Sequence, residues 1–462
     1  MDDKKQLKIR EMTNEERGIW ESIERHAWIP WVSMKEVAEK KEQPVIKRGE
    51  GVFLEDIHGK RYLDASSGPV AVNYGYGTSK IVDAVKEQLD NLHFLHYRIA
   101  FTDKVADLVK KIADLTPGTL NRIHLNVTGT DAVEGALKIA RSYFPNPSKN
   151  KVVSLYGGYH GLSYGTLSVS GFAFFKEPFA RNTPPGTLQI HPPYCYRCAY
   201  GLEHPGCGMM CARMLDETVK AEGPGSVAAF IAEPIMGVAG VITPPDEYWP
   251  LVRNICDRHN ILLIADEVMT GWGRTGRLFT CQYWDVEPDM LTMAKGLSGV
   301  YQGISAVAIK DKIFERFADE KFFHSHTQSS SPISAAAAIA AIEMIEERDL
   351  VKRAATMGGY LRKKLEKLMA ESPLVGEIRG KGLFQAAELV ADRASKKRLS
   401  EAVPNFSDVL HAKFQERGVI IRLGGYNSDT LYFSPPLIVE ESEIDTMVDV
   451  TREVLGEIHS AL

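Results

Sequence analysis

Lysine condenses with carbonyl compounds when burial keeps its amine neutral, and Met293-Ala294-Lys295-Gly296-Leu297 sets Lys295 in such apolar surroundings. Taken alone, a lysine is far more often a solvated surface residue. Ile264-Ala265-Asp266-Glu267-Val268 places two acids at the end of an apolar run, where a carboxylate is costly to bury without a cationic partner. A protonated pyridine nitrogen would serve as that partner, and so would a helix start or a structural ion pair. Val127-Thr128-Gly129-Thr130-Asp131 leaves an apolar run and enters a helical pattern. There Gly129 lets a ligand approach the backbone, Thr130 can cap the helix, and free N–H groups make an anion seat. An ordinary capped helix reads the same way. Leu155-Tyr156-Gly157-Gly158-Tyr159-His160-Gly161 offers an aromatic ring and an imidazole on a flexible turn. That suits stacking on a flat ring, or plain half-buried packing.

These groups need a frame, and the pattern supplies one. Short apolar runs at 123–127, 151–155, 228–232, 261–265 and 304–309 predict buried strands, and Ala132, Ala136, Leu137 and Ala140 predict a helix over 131–144. Near-continuous apolar strands between helices imply an α/β fold with a mostly parallel sheet covered on both faces. Sites in such sheets gather beyond the strands' carboxyl ends, which is where the motifs above fall. Residues 50–64 alternate around a turn at 56–59, like a hairpin. From Ala335 a long helix pair is followed by strands near 382–388 and 431–434. The expected division is an N-terminal segment at 1–75 that joins a small domain, a large domain at 76–325, and the rest of the small domain at 335–462.

At 462 residues, 44% hydrophobic and 25% charged, the chain has the bulk of a two-domain globular protein. A net charge of −5 gives no reason to expect nucleic acid or a membrane surface as partner. The charged start Met1-Asp2-Asp3-Lys4-Lys5-Gln6 does not read as a secretory signal, and the Ala-rich run at 334–345 is too short to span a membrane. Six cysteines do not suggest a disulfide scaffold, so a cytoplasmic setting is expected.

In their order along the chain, Gly129-Thr130, Tyr159-His160-Gly161, Glu233-Pro234, Asp266-Glu267-Val268 with Gly273-Arg274-Thr275-Gly276, and Lys295-Gly296 resemble the class III aminotransferases. The likeness runs from about Trp28 to the C-terminal helix and is nearest to the ω-amino acid:pyruvate branch. It implies a fold type I enzyme with a large mostly parallel domain and a smaller α+β domain built from both termini. It also implies pyridoxal 5'-phosphate as cofactor, bound as a Schiff base on Lys295, with Asp266 keeping the pyridine nitrogen protonated. Val268 and Tyr159 would flank the ring, and Gly129 and Thr130 would hold the phosphate. Thr327, in His324-Ser325-His326-Thr327, would reach the phosphate of a neighbouring subunit, so a homodimer with shared sites is expected. Arg422 would grip the carboxylate of a keto acid and swing aside for a bulkier donor. The implied reaction moves the amino group of an ω-amino acid or primary amine (β-alanine, 4-aminobutyrate, taurine or a diamine) to a keto acid such as pyruvate.

The chain also departs from that pattern. Asp131 stands for a usual Glu, Val70 for a pocket tryptophan, and Met269 for a glutamine that meets the ring hydroxyl. Ser325, Ser330 and Ser331 replace residues that are often Gly, Gly and Asn or His, and Arg379-Gly380-Lys381-Gly382 resembles a structural family turn. An insertion at about 193–212 carries Cys195, Cys198, Cys207 and Cys211 in a Cys-x2-Cys-x8-Cys-x3-Cys spacing. Such thiols could form a structural zinc site, or remain free or redox-labile. Two rival readings stay open: a pyridoxal-phosphate racemase or aminomutase, and a non-enzymatic binding protein built on the cysteine loop.

Overall fold

The computed structural model describes residues 12–41 and 43–462; the charged start at 1–6 lies outside the described residues. Seven strands form the central sheet: β4 (Arg122–Asn126), β5 (Lys151–Leu155), β6 (Thr187–Ile190), β7 (Val227–Ala232), β8 (Leu262–Asp266), β9 (Met290–Met293) and β10 (Ser305–Ile309). Their spatial order is β4-β10-β9-β8-β7-β5-β6. The run from β9 to β6 is parallel throughout, whereas β10 lies antiparallel to both β9 and β4. Buried apolar strands such as Val227–Ala232, which is buried at every position, explain why the runs were readable: a sheet covered on both faces has no polar alternation.

Before the central sheet come β1 (Ile46–Glu50), β2 (Phe53–Asp56) and β3 (Arg61–Asp64); β2 and β3 form the expected hairpin. After it follow the helices Pro332–Glu347 and Leu350–Glu371, then β11 (Val375–Lys381), β12 (Phe384–Asp392), β13 (Lys397–Arg398), β14 (Val419–Ile420), β15 (Arg422–Gly424) and β16 (Thr430–Phe433). The order β11-β12-β16-β15 makes an antiparallel sheet, with β13 on β12. Parallel pairing of β14 with β3 joins the chain's two ends, Val419 facing Leu63. The Ala-rich helix Pro332–Glu347 is buried over most of its length against the main core. Among the described residues no helix is long and apolar enough to cross a membrane.

Candidate active site

Asp266 is the last residue of β8, reached through four buried apolar positions, so its carboxylate emerges at the sheet's carboxyl edge. Its Oδ2 lies 2.7 Å from His160 Nδ1, and its Oδ1 accepts from Thr292 Oγ1 at 2.9 Å and the Val268 amide at 3.2 Å. Asp266, His160 and Thr292 are all buried. The partner expected for a buried acid is therefore present as an imidazole, and His160 Nε2 has no hydrogen-bond partner of its own.

Lys295 follows β9 across a sharp turn. Ala294 is extended, and Lys295 takes φ +40, a left-handed conformation that a non-glycine residue adopts only under constraint. The constraint is visible: Tyr74 Oη donates to Gly296 O at 2.5 Å, and a Cβ on Gly296 would meet Asn73 Nδ2 at 2.5 Å. Burial pushes the Lys295 amine down to about 8, Arg422 adds to this, and Glu233 and Asp266 oppose it. Glu233, just after β7, is buried and accepts from the Tyr159 amide at 2.9 Å and the Gly237 amide at 2.7 Å. Burial pushes its carboxyl up to about 7, with Asp266 adding and His160 opposing.

Between β4 and the helix Gly129–Tyr143 the cap is Thr128, not Thr130: Thr128 Oγ1 accepts from the Asp131 amide while Asp131 Oδ2 accepts from the Thr128 amide. This capping box satisfies two helix-end donors reciprocally and puts Gly129 and Thr130 in the first turn. Closeness at Gly129 is tight, since a Cβ there would meet Val268 Cγ1 at 2.8 Å.

Gly129, Thr130, Tyr159, Val268, Asp266 and Lys295 all line one cleft of about 330 Å³, together with His160, Glu233 and Met269. Arg422 stands close enough to act on the charges of Lys295 and Tyr159, and its Nη1 is buried without a partner. Thr327 is exposed and outside this cleft. The sequence offered the His160 imidazole only for stacking on a flat ring and Glu233 only within a motif; the fold brings them to Asp266 and to the Tyr159 amide. The donor set fits pyridoxal phosphate: a depressed amine for the aldehyde, a buried acid for the ring nitrogen, a helix start for the phosphate, and an aromatic ring and Val268 along the walls.

At the insertion where a structural zinc was expected, no metal-binding site is shown among the described residues. Cys195, Cys198, Cys207 and Cys211 do border one small cavity of about 20 Å³, beside His204. All four are free thiols, and among the described residues no group of three or more His, Cys, Asp or Glu side chains is arranged to hold a metal ion. Burial pushes the Cys211 thiol up to about 12. Spacing brought the thiols to one place without giving them a ligating geometry.

Known proteins agree with this geometry. The family model "Aminotransferase class-III" matches residues 36–455. The putrescine–pyruvate aminotransferase of Pseudomonas aeruginosa is 34% identical over 98% of this chain and 99% of its own. The taurine–pyruvate aminotransferase of Bilophila wadsworthia is 36% identical over 88% of this chain and 91% of its own. The solved omega transaminase from Pseudomonas jessenii in complex with PMP superposes with a TM-score of 0.90 at 32% identity, covering 95% of this chain and 98% of that one. A cleft of this composition on this sheet, matched over nearly its whole length, makes the chain a member of the class III aminotransferases, pyridoxal-phosphate-dependent transaminases of fold type I.

Proposed function

We propose that this aminotransferase takes the amino group of an ω-amino acid or primary amine and delivers it to a keto acid, with pyruvate as the acceptor. One observation carries the acceptor half: a buried, unpartnered guanidinium nitrogen of Arg422 beside the reactive lysine. A buried cationic donor without a partner is costly, and a carboxylate is its natural complement. The putrescine–pyruvate and taurine–pyruvate relatives support the same pairing of an ω-amine with pyruvate.

Bound pyridoxal phosphate supplies a conjugated ring that accepts the electron pair left when the substrate carbon loses its proton. Lys295 would be the base that takes this proton from the substrate carbon and hands it to the cofactor's former aldehyde carbon, two atoms away across the nitrogen, because its depressed pKa keeps a usable share of neutral amine near pH 7. Asp266 holds a proton on the ring nitrogen, while Thr292, His160 and the Val268 amide fix the carboxylate in place. Gly129 and Thr130 bind the phosphate through the helix start. Tyr159 and Val268 orient the ring from the cleft walls. Donor and acceptor use one site in turn, so the two half reactions alternate.

We further propose a homodimer in which Thr327 of each subunit completes the phosphate site of the other. Thr327 is exposed on its own chain, and Phe323 and Phe101 are 83% and 85% exposed. A panel of β-alanine, 4-aminobutyrate, taurine and diamines, each with pyruvate and read by alanine formed, tests the reaction. Alanine from at least one ω-amine supports it. Racemisation of an amino acid without any keto acid, and no alanine from any donor, would replace it with the racemase reading.

A further inference from the structure

The cysteine-bearing insertion is fastened to the antiparallel sheet by a buried polar cluster centred on Glu388 of β12, which is 1% exposed. The Glu388 carboxylate accepts from the Tyr194 hydroxyl, from Arg197 Nε, and from Arg379 Nη1 at 2.5 Å. Burial alone would raise this carboxyl, yet Arg379, Tyr194 and Arg197 hold it below the usual range, so Glu388 stays ionised between two guanidinium groups. Arg379 carries the connection onward: its Nε donates to Gly240 O at 2.6 Å, and its Nη2 to Thr430 Oγ1 at 3.3 Å.

Thr430 is the register partner of both Glu388 and Gly424, and Tyr432 is the partner of Arg422. The Tyr432 hydroxyl donates to Gly237 O at 2.7 Å, and the Gly425 amide to Val238 O at 3.1 Å. The Arg422 guanidinium carbon lies 5.3 Å from the Tyr432 ring centre. An unbroken set of contacts thus runs from the insertion to the strand pair that carries Arg422.

We infer that Tyr194 and Arg197, acting through Glu388 and Arg379, are positioning residues for Arg422, so that the insertion sets the affinity for the acceptor's carboxylate. This rests on the carboxylate-binding part given to Arg422 above. Neither residue lines the cleft, so the effect belongs in KM for carboxylate substrates, with little change in turnover.

The test uses the holoenzyme with Arg197→Met and Tyr194→Phe, pyruvate as acceptor, and a donor that lacks a carboxylate. Expected is a rise of about three- to tenfold in KM for pyruvate, the scale of one lost hydrogen bond, with kcat held within about twofold. KM for the donor stays unchanged, and Arg197→Lys, which keeps the charge but not the fork, falls between. Arg422→Ala with Arg197→Met is expected to be no worse than Arg422→Ala alone, because both act on one contact. Equal rises in both KM values, a fall in kcat alone, or a full additional penalty on Arg422→Ala overturns the inference and leaves the Arg422 assignment standing. An unchanged pyruvate KM in Arg422→Ala, by contrast, removes the assignment itself.

Discussion

At Lys295, burial and the nearby Arg422 hold the amine at about 8 instead of its ordinary 10.5. At pH 7 that leaves about one amine in ten neutral, against about one in three thousand for an exposed lysine. Loading of pyridoxal phosphate onto the apoenzyme should therefore speed up as pH rises and level off just above pH 8, read from the growth of visible absorbance. A rate still climbing at pH 10 would contradict the depressed pKa. Asp266→Asn, which removes the charge and keeps the shape, is expected to cut kcat about 10²- to 10³-fold with the fold intact. Arg422→Ala should raise KM for pyruvate about 10- to 100-fold, the worth of a charge-assisted hydrogen bond. Lys295 and Asp266 were readable because motif order tied them to a family. The contacts of His160 and Glu233 were not, since they join positions 106 and 74 residues away in the chain.

The helix Gly129–Tyr143 shows what sequence gives at the next scale. Its start was readable from Gly129-Thr130, but the cap was assigned two residues too late, because Thr128 and Thr130 both offer a hydroxyl and only the Thr128-to-Asp131 spacing closes a capping box. Gly129→Ala is expected to weaken pyridoxal phosphate binding about tenfold, as the added Cβ forces Val268 or the backbone aside from a 2.8 Å contact. Thr128→Ala should instead lower stability by about 1 kcal/mol, measured by denaturant unfolding. Five of the seven strands of the central sheet fell within a residue or two of their predicted places, whereas β6 and β9 were not predicted. The direction of β10 did not show, because an antiparallel strand buried on both faces is as apolar as a parallel one.

Across the whole molecule, pairing of β14 with β3 makes one structure of the chain's two ends, which composition could suggest but not register. The cysteine insertion taught the opposite lesson. Its spacing left a metal site and free thiols both open, and the contacts that fasten the loop, from Tyr194 and Arg197 onto Glu388, lie outside the cysteine pattern. Apolar surface at Ile99, Phe101 and Phe323, 79%, 85% and 83% exposed, fits a subunit interface beside Thr327. Sedimentation is expected to show a dimer, and Phe101→Asp with Phe323→Asp to give monomers that hold pyridoxal phosphate more weakly. A wild-type monomer with undiminished cofactor affinity would contradict the shared site.

Reduction of the holoenzyme with borohydride, followed by peptide mapping, bears most directly on the reactive lysine. The pyridoxyl group is expected on Lys295, and the Lys295→Ala protein should take up none. A label fixed on any other residue, or a Lys295→Ala variant that still labels and turns over, would contradict the assignment.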